Sequence, residues 1–227
     1  MNVVNLNSAS LNSKRLNVIG DIRSSAGGGG GGGDVPSYPN GVYIQHIDGK
    51  LYTADEWTAK GFSNDEANGV AVLTDEAKFV IAKEDSPTGK KMWATDTTNL
   101  LSEVTTTTVY ADALKDYMGY NNTQKMLVVD KNEAAYNCAN YIFPNGNNGY
   151  LPSSGEWAIA QINKNAVDAL IALIGGRPIL KGSTKNYYWT STQYQPNAAW
   201  SFRWDNTVNI VSKDSSLYVR AFTTLSK

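Results

Sequence analysis

The sequence predicts an α+β fold, and three observations carry that prediction. Runs with apolar residues at alternate positions, bounded by turn residues, begin at Asn40 and return between Asn186 and Phe222. The stretch between them has apolar residues at helical spacing together with helix-start signals. Strands that bracket a helical middle bring the two ends of a domain into one sheet.

Residues 1–25 alternate apolar and polar positions in "NVVNLNSASLN" and "RLNVIGDIR", with Asn, Ser and Gly as interruptions. Such runs read as short strands too small to stand alone, suited to attachment or assembly on another copy or a larger body, or as a disordered tail. Residues 26–38, "AGGGGGGGDVPSY", hold seven consecutive glycines and then a proline, a composition that buries no apolar surface. They read as a flexible linker. A phosphate-binding loop would need a strand before it, a helix after it and a Gly-Lys-Ser/Thr ending, none of which the sequence offers.

The domain proper runs over residues 39–227. "GVYIQHIDGKLYT" reads as a hairpin, with Asp48-Gly49 as a two-residue turn. Thr53 and Glu56 open a helix in "TADEWTAKGF", and "GVAVLTDEAKFVIAKED" reads as two strands around Thr74-Asp75. Two helices are expected at about 108–118 and 130–142. In the second, Ala134, Ala135, Cys138, Ala139 and Ile142 share a face. A further helix opens at Pro152-Ser153-Ser154-Gly155-Glu156, includes Trp157 early and ends before Gly175-Gly176. "NYYWTST", "AAWSFRW", "TVNIVS" and "SLYVRAF" complete the strands.

Composition narrows the function. A formal charge of −1 over 227 residues gives no electrostatic basis for nucleic acid or an anionic membrane as partner. No apolar run approaches the roughly 18 residues of a membrane span, so no membrane insertion is expected, and the first residues lack the pattern of a secretory signal. One cysteine, Cys138, excludes an internal disulfide and points to a reducing compartment of origin. His46 and Cys138 are the only residues of their kinds, and each is better read as structural: one alternates in a strand, the other lies on the small-residue face of a helix. The carboxylates are dispersed. No enzyme activity, metal or other cofactor is expected.

The C-terminal half carries a resemblance. "GYLPSSGEWAIA", followed in order by "YYWTST", "AWSFRW" and "LYVRAF", resembles the blocks of formylglycine-generating-enzyme-type domains. Among these it is most similar to the C-type-lectin-fold variable proteins of diversity-generating retroelements. The resemblance covers residues 149–223, matches 40–148 only in element order and leaves 1–38 outside. It implies a C-type-lectin-like α+β domain with a variable region at about 186–222. It also implies a ligand- or receptor-binding protein, set in a phage tail or alternatively on a bacterial cell surface, whose partner is a bacterial surface protein or glycan. A homotrimer would multiply weak contacts. The oxidase chemistry of the superfamily needs cysteines near the C-terminal end, and none follows Cys138. Gln195-Pro196-Asn197 looks like the triplet of calcium-dependent lectins, without the accompanying disulfides and carboxylates.

Under this reading Trp200, Phe202 and Trp204 face the core while Ser201, Arg203 and Asp205 face a partner. Tyr187, Tyr194, Gln195, Asn197 and Asn206 extend the contact face through adjoining loops. Tyr, Arg, Asn and Ser are the side chains that adaptable binding surfaces favour.

Overall fold

The computed structural model describes residues 38–128, 132–183, 185–205 and 207–225, together with the backbone of Val4–Asn5. The readings of residues 1–25 as an assembly segment and 26–38 as a linker lie almost wholly outside the described residues. In chain order the elements are β1 (Val4–Asn5), β2 (Gly41–His46), β3 (Leu51–Tyr52), α1 (Ala54–Lys60), β4 (Ala67–Leu73), β5 (Lys78–Ile81), β6 (Lys91–Met92), α2 (Tyr110–Ala113), α3 (Gly119–Val128) and α4 (Glu133–Ala139). They continue with α5 (Ser154–Ile162), α6 (Lys164–Leu173), β7 (Tyr188–Gln195), β8 (Ala198–Arg203), β9 (Thr207–Ser212), β10 (Ser216–Leu217) and β11 (Phe222–Thr224). The arrangement is α+β with antiparallel sheets, as the sequence predicts.

A five-stranded sheet in the order β11-β5-β4-β2-β3 brings the two ends of the domain together. β4 is buried along its whole length because both of its faces are covered, which is why "ANGVAVL" is nearly continuous in small and apolar residues. The β2–β3 turn differs from the expected two-residue connection. His46 N–H donates to the Lys50 carbonyl and Gly49 N–H to the His46 carbonyl, closing a three-residue loop with Gly49 at φ 89°. A three-residue loop needs its last residue in the left-handed region, and glycine enters it without steric cost. The helix after it starts where expected: Thr53 accepts from Glu56 N–H, Glu56 accepts from Thr53 N–H, and Gly61 ends the helix at φ 66°.

The middle of the chain departs furthest from expectation. The helix expected over 108–118 shrinks to α2, and the one expected over 130–142 to α4. α3 was not anticipated at all, because its sequence "GYNNTQKMLV" begins with glycine and asparagines, poor helix formers. Ala134, Ala135 and Cys138 are buried as the face predicts, but Ile142 lies past the end of α4 and is exposed. The single helix expected after Pro152 is two, α5 and α6, separated at Asn163. "SLYVRAF" likewise divides: β10 pairs with β6 and β11 joins the five-stranded sheet.

A second sheet, β1-β9-β8-β7, packs across α5 from the first. Trp157 of α5 is the hub. Its ring stacks parallel on Phe202 of β8 at 5.8 Å and also meets Tyr188 of β7 at 5.2 Å, Trp204 at 6.0 Å and Phe222 of β11 at 5.0 Å. One indole therefore ties the helix to both sheets, each ring pair adding about 0.5–1.5 kcal/mol beyond its buried area.

Candidate binding face

The hairpin β7–β8 is held rigidly because both of its faces are covered. On one, Tyr188, Trp200, Phe202 and Trp204 join the core around Trp157. On the other, Trp189 and Ala199 pack with Trp93, Leu217 and Val219. The polar run Thr190-Ser191-Thr192 is wholly buried as well, so each hydroxyl needs a partner inside the protein.

Those partners come from the start of α5 and from the loop before α3. Ser154 donates to Thr190 Oγ1 at 3.0 Å and its N–H to Thr192 Oγ1 at 2.9 Å, while Thr190 Oγ1 donates to the Trp200 carbonyl. Thr192 Oγ1 donates to Asp116 Oδ2 at 2.7 Å, and Asn122 Nδ2 reaches Asp116 Oδ2 and Ser191 Oγ. The blocks "LPSSGEW" and "YWTST", separated by some thirty residues of sequence, thus form one joint.

Within that joint, Ser153 and Glu156 form a capping box that is completely enclosed. Ser153 N–H donates to Glu156 Oε2 at 2.7 Å and Tyr150 O–H to Oε1 at 2.7 Å. Ser153 Oγ lies 2.5 Å from the Asp116 carbonyl and 2.9 Å from Glu156 Oε2, and its single proton can serve only one of them. A protonated Glu156 resolves the conflict by donating to Ser153 Oγ. Burial, reinforced by the neighbouring Asp116, pushes the Glu156 carboxyl up to about 7 in spite of its hydrogen bonds.

The sequence-predicted contact residues fall into separate groups. Gln195 and Asn197 flank Pro196 in the β7–β8 turn, all three exposed, and half-buried Tyr194 meets Trp200 edge-on at 5.3 Å. Tyr187, Arg203 and Asp205 gather at the other end of the hairpin, since Tyr188 pairs with Phe202 there and Gln195 with Ala198 here. The two ends are roughly 20 Å apart at strand spacing. At the far end Arg203 lies over the ring of buried Tyr187 at 5.3 Å and pairs with Asp205, which also accepts from Gly182 N–H.

Ser201 belongs to neither group. It is fully buried and donates to the Asn209 carbonyl, so the expectation that it faces a partner is corrected: the second face of β8 is covered by other parts of the chain. Asn206 lies outside the described residues.

Two residues that sequence reasoning passed over join the exposed turn. β9 ends against it, with Ala198 paired to Ser212, Lys213 N–H donating to the Asn197 carbonyl and Ser212 Oγ close to the same oxygen. Ser212 and Asp214 are exposed beside Asn197. The only sequence signal was the polar turn "SKDSS", read simply as a separator. Between them Lys213 turns inward. Its ammonium is completely enclosed, 2.5 Å from Gln193 Oε1 and 4.5 Å from the centre of the Trp93 ring, and burial brings it down to about 8.

The two residues weighed for nucleophilic chemistry have structural surroundings. Cys138 is buried, and burial pushes its thiol up, away from the reactive thiolate. His46 packs against Phe62, Trp57 and Tyr52 and contacts Asp48. Among the described residues no three of His, Cys, Asp and Glu converge as a metal site. No helix among them is long and apolar enough to cross a membrane.

A scan against protein-family models finds no match, and a search of curated proteins finds none of significance. Among solved structures the chain is similar to the crystal structure of a fimbrial protein from Bacteroides ovatus, at 15% identity and a TM-score of 0.56 over 82% of this chain and 49% of that one. The chain spans about half the length of that protein, and at this identity the likeness is one of fold.

Proposed function

We propose that the chain is a non-enzymatic recognition protein that displays replaceable contact residues on a C-type-lectin-like scaffold at a bacterial surface. One observation carries the reading: the β7–β8 turn is exposed at Gln195, Pro196 and Asn197, while the strands that bear it are buried on both faces. Residues at such a turn can change without disturbing the core, and a rigid support lowers the entropic cost of binding. The adjoining Ser212 and Asp214 widen the face. Pairing of the domain's two ends in one sheet and the "LPSSGEW"/"YWTST" joint support the C-type-lectin-like assignment.

The fimbrial neighbour favours a bacterial-surface setting over a phage tail, and the partner we propose there is a surface protein or glycan. Purified protein labelled with a fluorophore and applied to a panel of intact gut bacteria tests the reading. Binding to some strains is expected, with at least a tenfold loss in the double variant Gln195→Ala/Asn197→Ala; equal binding by the variant would remove the turn from the site. Diversification has its own test in the encoding DNA. A near-identical repeat that differs from codons 187–207 mainly at adenines, beside a reverse transcriptase gene, is expected, and its absence would end that part of the proposal. A light-scattering mass of one chain would dispose of the trimer.

A further inference from the structure

Lys213 lies between the exposed residues Ser212 and Asp214, yet its side chain and that of Gln193 are both fully enclosed. Each backbone is pinned. Lys213 N–H donates to the Asn197 carbonyl and the Lys213 carbonyl accepts from Trp93 N–H, while Gln193 N–H donates to the Thr105 carbonyl and the Gln193 carbonyl accepts from Thr107 N–H. The two side chains meet inside the protein, with Nζ 2.5 Å from Oε1. Since a C=O bond is about 1.2 Å long, Cδ of Gln193 lies no more than about 3.7 Å from Nζ, close to the separation from which a held nucleophile attacks.

The amide is gripped at both of its polar atoms. Oε1 also accepts from Leu101 N–H at 3.1 Å, a donor placed to take up charge arriving on that oxygen. Nε2 donates to Thr106 Oγ1 at 2.8 Å and to the Leu101 carbonyl at 3.4 Å, which fixes the amide with its oxygen towards the amine. The amine is poorly served as a cation. An ammonium has three N–H donors, and here its acceptor is Gln193 Oε1, with the face of the Trp93 ring 4.5 Å away. The carboxylate that acts on it, Asp96, is exposed and accepts from Thr98. Burial outweighs Asp96 and brings the group down to about 8, which favours the neutral, nucleophilic form.

We propose that Lys213 and Gln193 condense to an isopeptide bond, a self-modification of the folded chain that releases ammonia. The Nζ lone pair attacks Cδ, and the carbonyl π pair moves onto Oε1, beside Leu101 N–H. One proton passes from Nζ to Nε2, the Cδ–Nε2 bond breaks with its electron pair leaving on ammonia, and the carbonyl re-forms. Atoms and charge balance without an oxidant, a reductant or a co-reactant. Amide exchange is slow between free molecules, but fixed juxtaposition can match an effective molarity of about 10⁵–10⁸ M. Freshly folded protein at neutral pH keeps the free ammonium, and the bond accrues where the amine is neutral. It ties two positions 20 residues apart, one on β7 and one in the turn after β9, which together support the exposed face. The inference stands apart from the recognition reading, which needs no such bond.

Mass spectrometry of the whole chain tests it. After some days at pH 9 the protein should lighten by the mass of one ammonia, at an initial rate at least tenfold above that at pH 6, where the amine is protonated. An Asn-Gly succinimide, as at Asn68, loses the same mass, so the position decides. Tryptic digestion should yield residues 186–203 joined to residues 204–220, with Lys213 uncut. Lys213→Met should lack this linked peptide, and incubation of the parent in guanidinium chloride, which separates the two residues, should prevent it from forming. An unchanged mass at pH 9, a loss mapped wholly to asparagine, or a linked peptide that forms equally in guanidinium chloride would overturn the proposal.

Discussion

The guanidinium of Arg220 and the carboxylate of Asp85 form an ion pair at 2.7 Å, enclosed by the protein and 135 residues apart in sequence. The Tyr188 hydroxyl lies within 3.1 Å of both carboxylate oxygens, and Arg220 Nη2 donates to the Arg177 carbonyl. The pair therefore clamps β7, the segment between β10 and β11 and the segment after β5. Arg220→Leu leaves a buried, uncompensated carboxylate and should cost about 3–5 kcal/mol in urea unfolding. Arg220→Met combined with Asp85→Asn removes both charges, and its loss should be clearly smaller than that of Arg220→Leu.

Gly155 sits where α5 presses on the loop before α3. Its N–H donates to the Asp116 carbonyl at 3.0 Å, and a β-carbon at this position would lie 2.4 Å from that oxygen and 2.7 Å from the Tyr117 ring. Gly155→Ala should therefore destabilise by about 1–3 kcal/mol, although alanine is the better helix former. A stability equal to that of the parent would show that the joint yields.

Glu156 should leave a mark on the pH dependence of stability. Its carboxyl rises from 4.5 to about 7 on folding, so between those values the folded protein keeps a proton that the unfolded chain releases. Stability falls as pH rises through this window, by about 3 kcal/mol in all, and is flat above it. Glu156→Gln removes that contribution, and the difference between parent and variant should change with pH between 4.5 and 7.

Lys213 gives the opposite slope at alkaline pH. Its ammonium falls from 10.5 to about 8 on folding; below pH 8 it is charged in both states and its burial carries a constant cost. From 8 to 10.5 the unfolded chain alone holds the proton, and the cost fades as pH rises. Lys213→Met should stabilise the protein at neutral pH by an amount on the order of 1–3 kcal/mol and add little above pH 10.5, as thermal unfolding would record. Gln193 Oε1 keeps the Leu101 N–H as a partner, so no acceptor is orphaned.

The separation of contact residues from scaffold can be tested by stability alone. Gln195→Glu and Asn197→Lys, both in the exposed turn, should change it by no more than about 0.5 kcal/mol. Ser201→Arg places a long charged side chain where a buried hydroxyl meets the Asn209 carbonyl and should prevent folding. A well-folded Ser201→Arg would restore it to the contact set.

The strands and both capped helix starts were legible because they depend on local chemistry: alternation in "GVYIQH" and "AAWSFR", and a hydroxyl three residues before a glutamate at Thr53. α3 was not, since its stability comes from tertiary partners. Its Asn122 accepts from Thr105 and its Thr123 exchanges hydrogen bonds with Leu151, contacts that no sequence period reports. In the candidate site, strand alternation placed Trp200, Phe202 and Trp204 on the core side, where they lie buried, but it assumed that the other face of β8 was open. Trp189 and its neighbours cover that face, so Ser201 closes inward and the exposed set contracts to the turn. Ser212 and Asp214 joined it only through the pairing of β9 with β8, a relation set by the whole sheet.

The union of the domain's two ends in one sheet has a mechanical consequence. Gly41 pairs with Leu73, Leu73 with Lys78, and the adjacent Phe79 with Thr224, so the chain enters β2 and leaves β11 at the same end of the sheet. Tension applied between these points loads the ladders of β2, β4, β5 and β11, roughly 14 Å across at the usual strand spacing. The β7–β8 turn hangs on the other sheet. Trp157, through Phe202 and Phe222, and the Asp85–Arg220 clamp, through Tyr188, join that sheet to the first and so carry load between the two.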